Sequence, residues 1–399
     1  IGFTSMSIHP TYKASGIEWL GDIPEHWEVK RLKDFAKVEN GKDYKHVEVE
    51  DGGYPVFGSG GEFRRSSEFL YDNPSVLLGR KGTIDKPLFV TDAFWTVDTM
   101  FYTIIKPNVN DKFFFYLCKT IQFDRYTYGA ALPSMTQGDL HTMNFCRPSL
   151  EEQTAIANYL DEKTSKLDQL IKNKKAQIAQ LKEIRQIEIN TAVTKGLNPN
   201  AKLKPSGVEW LDDTSTTLSA GIPENWEVKR LKDFAKVENG KDYKHVEVEE
   251  GGYPVFGSGG KFRRSSEFLY DNPSVLLGRK GTIDKPLFVT DAFWTVDTMF
   301  YTIIKPNVND KFFFYLCKTI QFDRYTYGSA LPSMTQGDLH TMNFCRPSLA
   351  EQTAIANYLA EKTSKIDHLV SNLENQIAQL EEVRKIEIFN AVTGKIKIV

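Results

Sequence analysis

A chain of 399 residues exceeds the usual single-domain size, so two or more domains are expected. Hydrophobic content of 41% and charged content of 26% are those of an ordinary globular protein, with no window near the eighteen uninterrupted apolar residues of a membrane span. A net charge of −2 excludes a generally basic nucleic-acid binder, so any DNA contact must use a local patch.

Ile1–Ser5 precede Met6 and read as a cloning remnant outside the fold; with no signal peptide in view, a cytoplasmic protein is expected. Trp27–Leu32 is strand-like and leads into a short helical turn ending at Ala36. Tyr54–Phe57, Ser75–Leu78, Leu88–Val90 and Phe101–Ile105 are apolar runs bounded by Gly, Pro, Asn and Asp, the signature of short strands. Lys112–Thr120, rich in Phe and Tyr, predicts a buried helix, and Met143–Arg147 a last strand before Pro148.

Ser149 with Glu152 is a capping box, in which each side chain covers a backbone donor left open at a helix start. From there to Gly196 the pattern is helical. Leu160, Leu167 and Leu181 repeat at heptad spacing, joined by Leu170 and Ile184, with Ile171 and Ile178 widening the stripe and Lys174 and Gln177 as polar breaks. Such a helix is roughly 60 Å long, too long for the core of a small domain. A second capping box, Ser348 and Glu351, opens a matching helix with Leu359, Ile366, Leu373 and Leu380 in the heptad. The two helices are expected to pack antiparallel as a coiled coil.

Internal repetition decides the architecture. Residue n matches residue n+199 almost without exception from Ile23 to Lys166. Within 24–150 the differences are His26/Asn225, Asp51/Glu250, Glu62/Lys261 and Ala130/Ser329. The expected class is therefore mixed α+β: globular domains over 6–148 and 197–347, and long helices over 149–196 and 348–399.

No catalytic constellation emerges. Asp72-Asn73-Pro74-Ser75 lacks the second proline and the aromatic of an amino-methyltransferase loop, and Gly79-Arg80-Lys81-Gly82-Thr83 lacks the spacing of a phosphate-binding Walker loop. The histidines show no metal spacing. Cys118, Cys146, Cys317 and Cys345 form no C-x-x-C pair and are expected to be buried reduced thiols.

What each copy carries is a cluster suited to DNA. Gly58-Ser59-Gly60-Gly61 with Phe63-Arg64-Arg65 is expected to be a flexible loop whose guanidinium groups fork onto guanine edges or phosphates. Arg80 and Lys81 sit in a second, glycine-flanked basic loop. Tyr128, Ser134, Thr136 and Gln137 offer hydroxyls and an amide to bases or phosphate oxygens. The second copy repeats them as Ser258, Arg263, Arg264, Arg279, Lys280, Tyr327, Ser333, Thr335 and Gln336. Solvated surface turns explain the same residue types, but not their clustering in a twice-written unit.

At this point the chain resembles the specificity subunits of Type I restriction-modification systems. The resemblance rests on Ser15-Gly16-Ile17-Glu18-Trp19-Leu20 through Trp27, on Pro148-Ser149-Leu150-Glu151-Glu152-Gln153 through Thr164, and on the alternation domain–helix–domain–helix. It implies two target-recognition domains held apart by an antiparallel coiled coil, each reading one half of a bipartite site in double-stranded DNA. It further implies a chain with no catalytic centre or cofactor of its own. Two methyltransferase subunits would dock on it with S-adenosylmethionine, and two restriction subunits can join with ATP and Mg²⁺. The chain departs from the family pattern in one respect: its two domains are nearly identical. Identical readers related by a twofold axis would read an interrupted palindrome, with half-sites of about four base pairs one turn of about 10 apart and a gap near six. A free-standing DNA-binding regulator and a coiled-coil protein scaffold are the rival readings.

Overall fold

The computed structural model describes residues 8–125, 133–212, 221–322 and 332–398. Two compact units divide the chain: Ile1–Lys174 with Glu374–Val399, and Lys175–Leu373. Each unit thus combines one globular copy, the first half of the helix that follows it and the last half of the other long helix.

In the first unit, β1 (Tyr12–Ala14) pairs antiparallel with β2 (Asp22–Pro24). Strand β3 (Glu28–Arg31) runs into a one-turn helix α1 (Leu32–Phe35) and then β4 (Ala36–Asn40). After β5 (Glu48–Val49), β6 (Tyr54–Gly58) and β7 (Gly61–Ser66) form a tight antiparallel hairpin. Strands β8 (Ser75–Gly79), β9 (Leu88–Val90), β10 (Trp95–Thr96) and β11 (Met100–Ile105) follow. Helix α2 (Asp111–Cys118), helix α3 (Gln137–Thr142) and β12 (Asn144–Arg147) complete the copy.

Two four-stranded sheets result, ordered β10-β6-β7-β5 and β4-β11-β8-β9, while β12 pairs with β3 and returns the chain to where the copy began. Strand β8 is buried at all five positions, because both of its faces are covered. The main core gathers Trp27, Phe35, Phe101, Phe113, Phe114 and Phe145 with Ile156, Ala157 and Leu160 of the first long helix. It also takes in Ile388, Ala391, Val392 and Ile396 from the far end of the chain. The second unit repeats this, with Trp226 and Phe234 packed beside Ile355 and Leu359 and beside Ile189, Ala192 and Val193 of the first long helix.

The long helices run Leu150–Lys195 and Leu349–Val392, and they pack antiparallel. In the first unit Tyr159 donates to Glu387 at 3.0 Å, Arg384 meets Asp168 at 2.5 Å and Lys174 donates to Gln376 at 2.6 Å, so partner numbers fall as the first helix rises. In the second unit Tyr358 donates to Glu188 at 2.8 Å and Arg185 meets Asp367 at 3.1 Å. Leu160, Leu359 and Ile366 are buried, and Leu167, Leu181, Leu373 and Leu380 are half-buried along the seam.

Leu170 requires a correction. It is 43% exposed, and Ile184 is 48% exposed, whereas Ile171 and Ile178 are buried. The second apolar row is Thr164-Ile171-Ile178-Arg185, one residue later than the expected row through Leu170. Spacings of three and four residues both lie on one helix face, so Ile171 and Ile178, expected at the margin of the stripe, are the pair that packs, and Leu170 and Ile184 turn outward. Among the described residues no helix is long and apolar enough to cross a membrane.

Candidate nucleic-acid interface

The segment expected as a flexible loop is the β6–β7 hairpin. Gly58 pairs with Gly61 across the two-residue turn Ser59-Gly60, and Gly61 at φ +110° takes a backbone conformation closed to other residues. A register shift at Val56/Phe57 twists the hairpin. The result is a rigid mount for β7, whose Glu62, Phe63 and Arg64 are exposed. Arg64 pairs with Glu48 of β5 at 3.1 Å. Arg65 donates to the Gly52 carbonyl and pairs with Glu62, each at 3.1 Å. Beside them lies an open groove lined by Lys45, Glu48, Glu50, Glu62, Phe63, Arg64 and Arg65. Phe63, 45% exposed, is propped by the Tyr44 ring with centroids 5.5 Å apart, and it offers a face on which a base can stack.

The second basic loop follows β8. Gly79 is obligatory there, since a Cβ would meet the Thr83 carbonyl oxygen at 2.4 Å. Three loops converge at this point. The Gly82 amide donates to the Pro133 carbonyl and the Met135 amide to the Arg80 carbonyl, both at 2.9 Å, and Lys81 bridges Ser134. A Cβ on Gly82 would lie 3.1 Å from the Ser59 hydroxyl, so the hairpin turn touches the loop. The fold thus joins Ser59, Arg80, Lys81 and Ser134 into one surface. Arg80 is anchored, donating to the Asp98 carbonyl at 3.2 Å, and Lys81 is exposed.

Two expected readers are occupied by the fold itself. The Thr136 hydroxyl caps α3 by accepting from the Asp139 amide at 3.1 Å, and the Gln137 amide donates to the Val38 carbonyl. Thr335 and Gln336 do the same in the second copy. Tyr128 and Tyr327 lie outside the described residues. The second copy repeats the convergence. Ser258 lies against Gly281, Lys280 bridges Ser333 and the Met334 amide donates to the Arg279 carbonyl, while Arg263 pairs with Glu247 at 3.2 Å.

The copy is bolted to its long helix by polar contacts, of which only the capping box is legible in the sequence. The capping box is formed, Ser149 donating to Glu152 at 2.8 Å. The other oxygen of Glu152 accepts from Trp27 at 3.0 Å and meets His26 at 2.7 Å. Burial pushes the Glu152 carboxyl up, but the hydrogen bonds from His26, Trp27 and Ser149 outweigh it and bring it down to about 2. Farther along, Asp161 accepts from Tyr116 at 2.7 Å and pairs with Lys112, and Tyr116 also meets Thr164 at 3.0 Å. All four cysteines are buried and unpaired with one another. Burial pushes the Cys146 and Cys345 thiols up to about 12, which leaves them unreactive at neutral pH. Among the described residues no cluster of His, Cys, Asp and Glu could hold a metal ion.

Each copy therefore presents a rigid basic-and-aromatic edge mounted on a helix start, an arrangement that can grip and read a duplex. The model of the Type I restriction modification DNA specificity domain matches the chain twice, over residues 24–180 and 223–381. The protein belongs to that family. It is 25% identical over 420 residues to the Type I restriction enzyme MjaVIII specificity subunit of Methanocaldococcus jannaschii, covering 94% of both chains. The EcoDI specificity subunit of Escherichia coli is 23% identical over 407 residues, covering 94% of this chain and 90% of that one. A solved structure from work on complex assembly and conformational transition of the type I R-M system shares the fold, with a TM-score of 0.68 at 14% identity over 93% of this chain and 98% of that one.

Proposed function

We propose that this chain is the DNA-reading and assembly subunit of a Type I restriction-modification complex, and that its target is an interrupted palindrome. One observation carries the reading: the convergent surface of Ser59, Arg80, Lys81 and Ser134 recurs residue for residue as Ser258, Arg279, Lys280 and Ser333. Two identical readers, if related by a twofold axis, would contact the same half-site on opposite strands, because the strands of B-DNA are themselves related by twofold axes. The half-sites of about four base pairs then flank a gap near six.

The assembly role has its own support. Beyond the first turns of the long helices, where Leu150 and Leu349 are also exposed, the described part of each unit exposes three large apolar residues on them: Leu170, Val383 and Ile386 in the first, Leu369, Ile184 and Ile187 in the second. They correspond at the offset of 199 residues, so whatever docks on one set can dock on the other. We assign these two patches to two methyltransferase subunits, which supply S-adenosylmethionine and the methylating centre. Restriction subunits using ATP and Mg²⁺ would complete the complex. In this reading the chain catalyses nothing itself.

Methylation mapping of a genome carrying the system tests the site. A short half-site, an unread gap and its reverse complement are expected; two unrelated half-sites would defeat the palindrome. Native mass of the chain with saturating methyltransferase subunit should show two partners per chain. A one-to-one complex would refute that stoichiometry, and loss of duplex binding with retained partner binding would favour a scaffold.

A further inference from the structure

The two grooves beside β7 and its counterpart are built from the same residues with one exception, and the exception changes their charge. In the first, Lys45, Arg64 and Arg65 face Glu48, Glu50 and Glu62, so the groove is neutral. In the second, Lys244, Lys261, Arg263 and Arg264 face Glu247 and Glu249, which leaves two positive charges. The consequence reaches the arginine three residues on. Arg65 spends one arm on the Glu62 carboxylate at 3.1 Å. Its counterpart Arg264 keeps the equivalent bond from Nε, to the Gly251 carbonyl as Arg65 does to Gly52, and donates from Nη2 to the Gly252 carbonyl at 2.8 Å instead of to a carboxylate. The neighbouring pair does not differ: Arg64 to Glu48 spans 3.1 Å and Arg263 to Glu247 spans 3.2 Å.

We propose that Glu62 and Lys261 give two otherwise identical readers unequal grips on the DNA backbone: Glu62 neutralises Arg65 in the first groove, whereas Lys261 and Arg264 together hold phosphate in the second. The inference rests on the DNA-reading role proposed above. A phosphate approaching the first groove must displace a carboxylate from Arg65, and Glu62 itself repels it. In the second groove the same phosphate meets a guanidinium held, among the described residues, by backbone carbonyls and no carboxylate, with an ammonium beside it. Phosphate contacts carry no base information, so the difference alters hold and not sequence. The second domain is the anchor, and the first is the one that lets go.

The test measures binding of the full-length chain to a duplex of about 40 base pairs carrying the mapped site, over a range of salt. Each phosphate contact adds about 0.9 to the slope of log affinity against log salt. Glu62→Lys should steepen that slope by about one to two and tighten binding, and Lys261→Glu should flatten it by about the same. The double exchange should return the wild-type slope, since distant sites add. Arg264→Ala should weaken binding about tenfold more than Arg65→Ala, a gap of about 1.4 kcal/mol, although the two arginines occupy equivalent positions. A control reversal on the long helix, Glu382→Lys, reports the general effect of charge and should move the slope less than Glu62→Lys. If the wild type binds while Glu62→Lys matches the control and the two arginine variants weaken binding equally, the unequal grip is overturned. If the wild type itself fails to hold the duplex, the DNA-reading role fails instead.

Discussion

In the first unit Tyr116 and Lys112 of α2 are both tied to Asp161 on the long helix; in the second the same position is Ala360, and Tyr315 keeps its contact with Thr363, at 3.2 Å. The helix start differs as well, His26 standing against Glu152 where Asn225 approaches Glu351 at 3.3 Å. The reading surfaces meanwhile are the same except at Glu62/Lys261. Variation thus reaches the fastening of each copy to its helix, at His26/Asn225 and Asp161/Ala360, while the cores stay the same. A mount needs only enough stability, and many side chains supply that.

The largest expected effect tests the sameness of the cores. Phe35 and Phe234 are each fully buried, stacked on Phe114 or Phe313 at 6.2 Å and edge-on to Phe145 or Phe344 at 6.4 Å. Phe35→Ala and Phe234→Ala should each cost about 3–5 kcal/mol, and by the same amount. Denaturant unfolding that separated the two by more than about 1 kcal/mol would break the comparison at its base.

The next effect separates the mounts. Glu152→Gln should cost about 2–3 kcal/mol and Glu351→Gln about 1–2, because only Glu152 faces a histidine as well as the tryptophan and the capping serine. The Glu152 carboxyl lies below its ordinary 4.5, at about 2, so its contribution is complete above about 4.5 and is lost as pH falls towards 2. Glu351 is lowered too: burial raises it, but Ser348, Trp226 and Asn225 outweigh that. The gap between wild type and Glu152→Gln should therefore narrow in unfolding titrations below pH about 4.5. A gap that stayed constant to pH 3 would mean that the hydrogen bonds do not depend on the charge.

Smaller again, Asp161→Ala should cost about 1–2 kcal/mol by turning the first mount into the second, while Ala360→Asp should gain less than about 1. Equal and negligible changes would show that the difference in fastening has no energetic content. The smallest effect fixes the seam. Leu170→Ser should change unfolding by less than about 0.5 kcal/mol, and Ile171→Ala should cost about 2–3. Reversed magnitudes would restore the other register. In the assembled complex Leu170→Ser should instead weaken the methyltransferase partner, read by titration against wild type.

Much of this fold was legible. The apolar runs at Ser75–Leu78, Leu88–Val90 and Phe101–Ile105 became strands within a residue of their expected ends, and Lys112–Thr120 became α2. Strand β7 was missed because Gly-Glu-Phe-Arg-Arg-Ser is polar on both faces, which suits a groove wall and resembles a loop. Thr136 and Asp139 spell a capping box three residues apart, but a hydroxyl beside basic loops suits a phosphate equally well, so residue type alone does not separate the two roles. The meeting of Ser59, Gly82 and Ser134, and of Glu152 with His26 across more than a hundred residues, has no local signal at all. Such contacts arise only when the sheets close.

The core of the first unit contains Ile388, Ala391, Val392 and Ile396, and this sets an order on folding. A ribosome releases the first globular copy long before those residues exist, so the copy must wait, its apolar surface uncovered, through synthesis of the entire second unit. The second unit has no such delay, because Ile189, Ala192 and Val193 are already in hand when its own strands emerge. The reader made first is therefore finished last. During that interval it is exposed to proteases, to chaperones, and to pairing with the tail of a neighbouring chain, whose helix end carries the same four side chains.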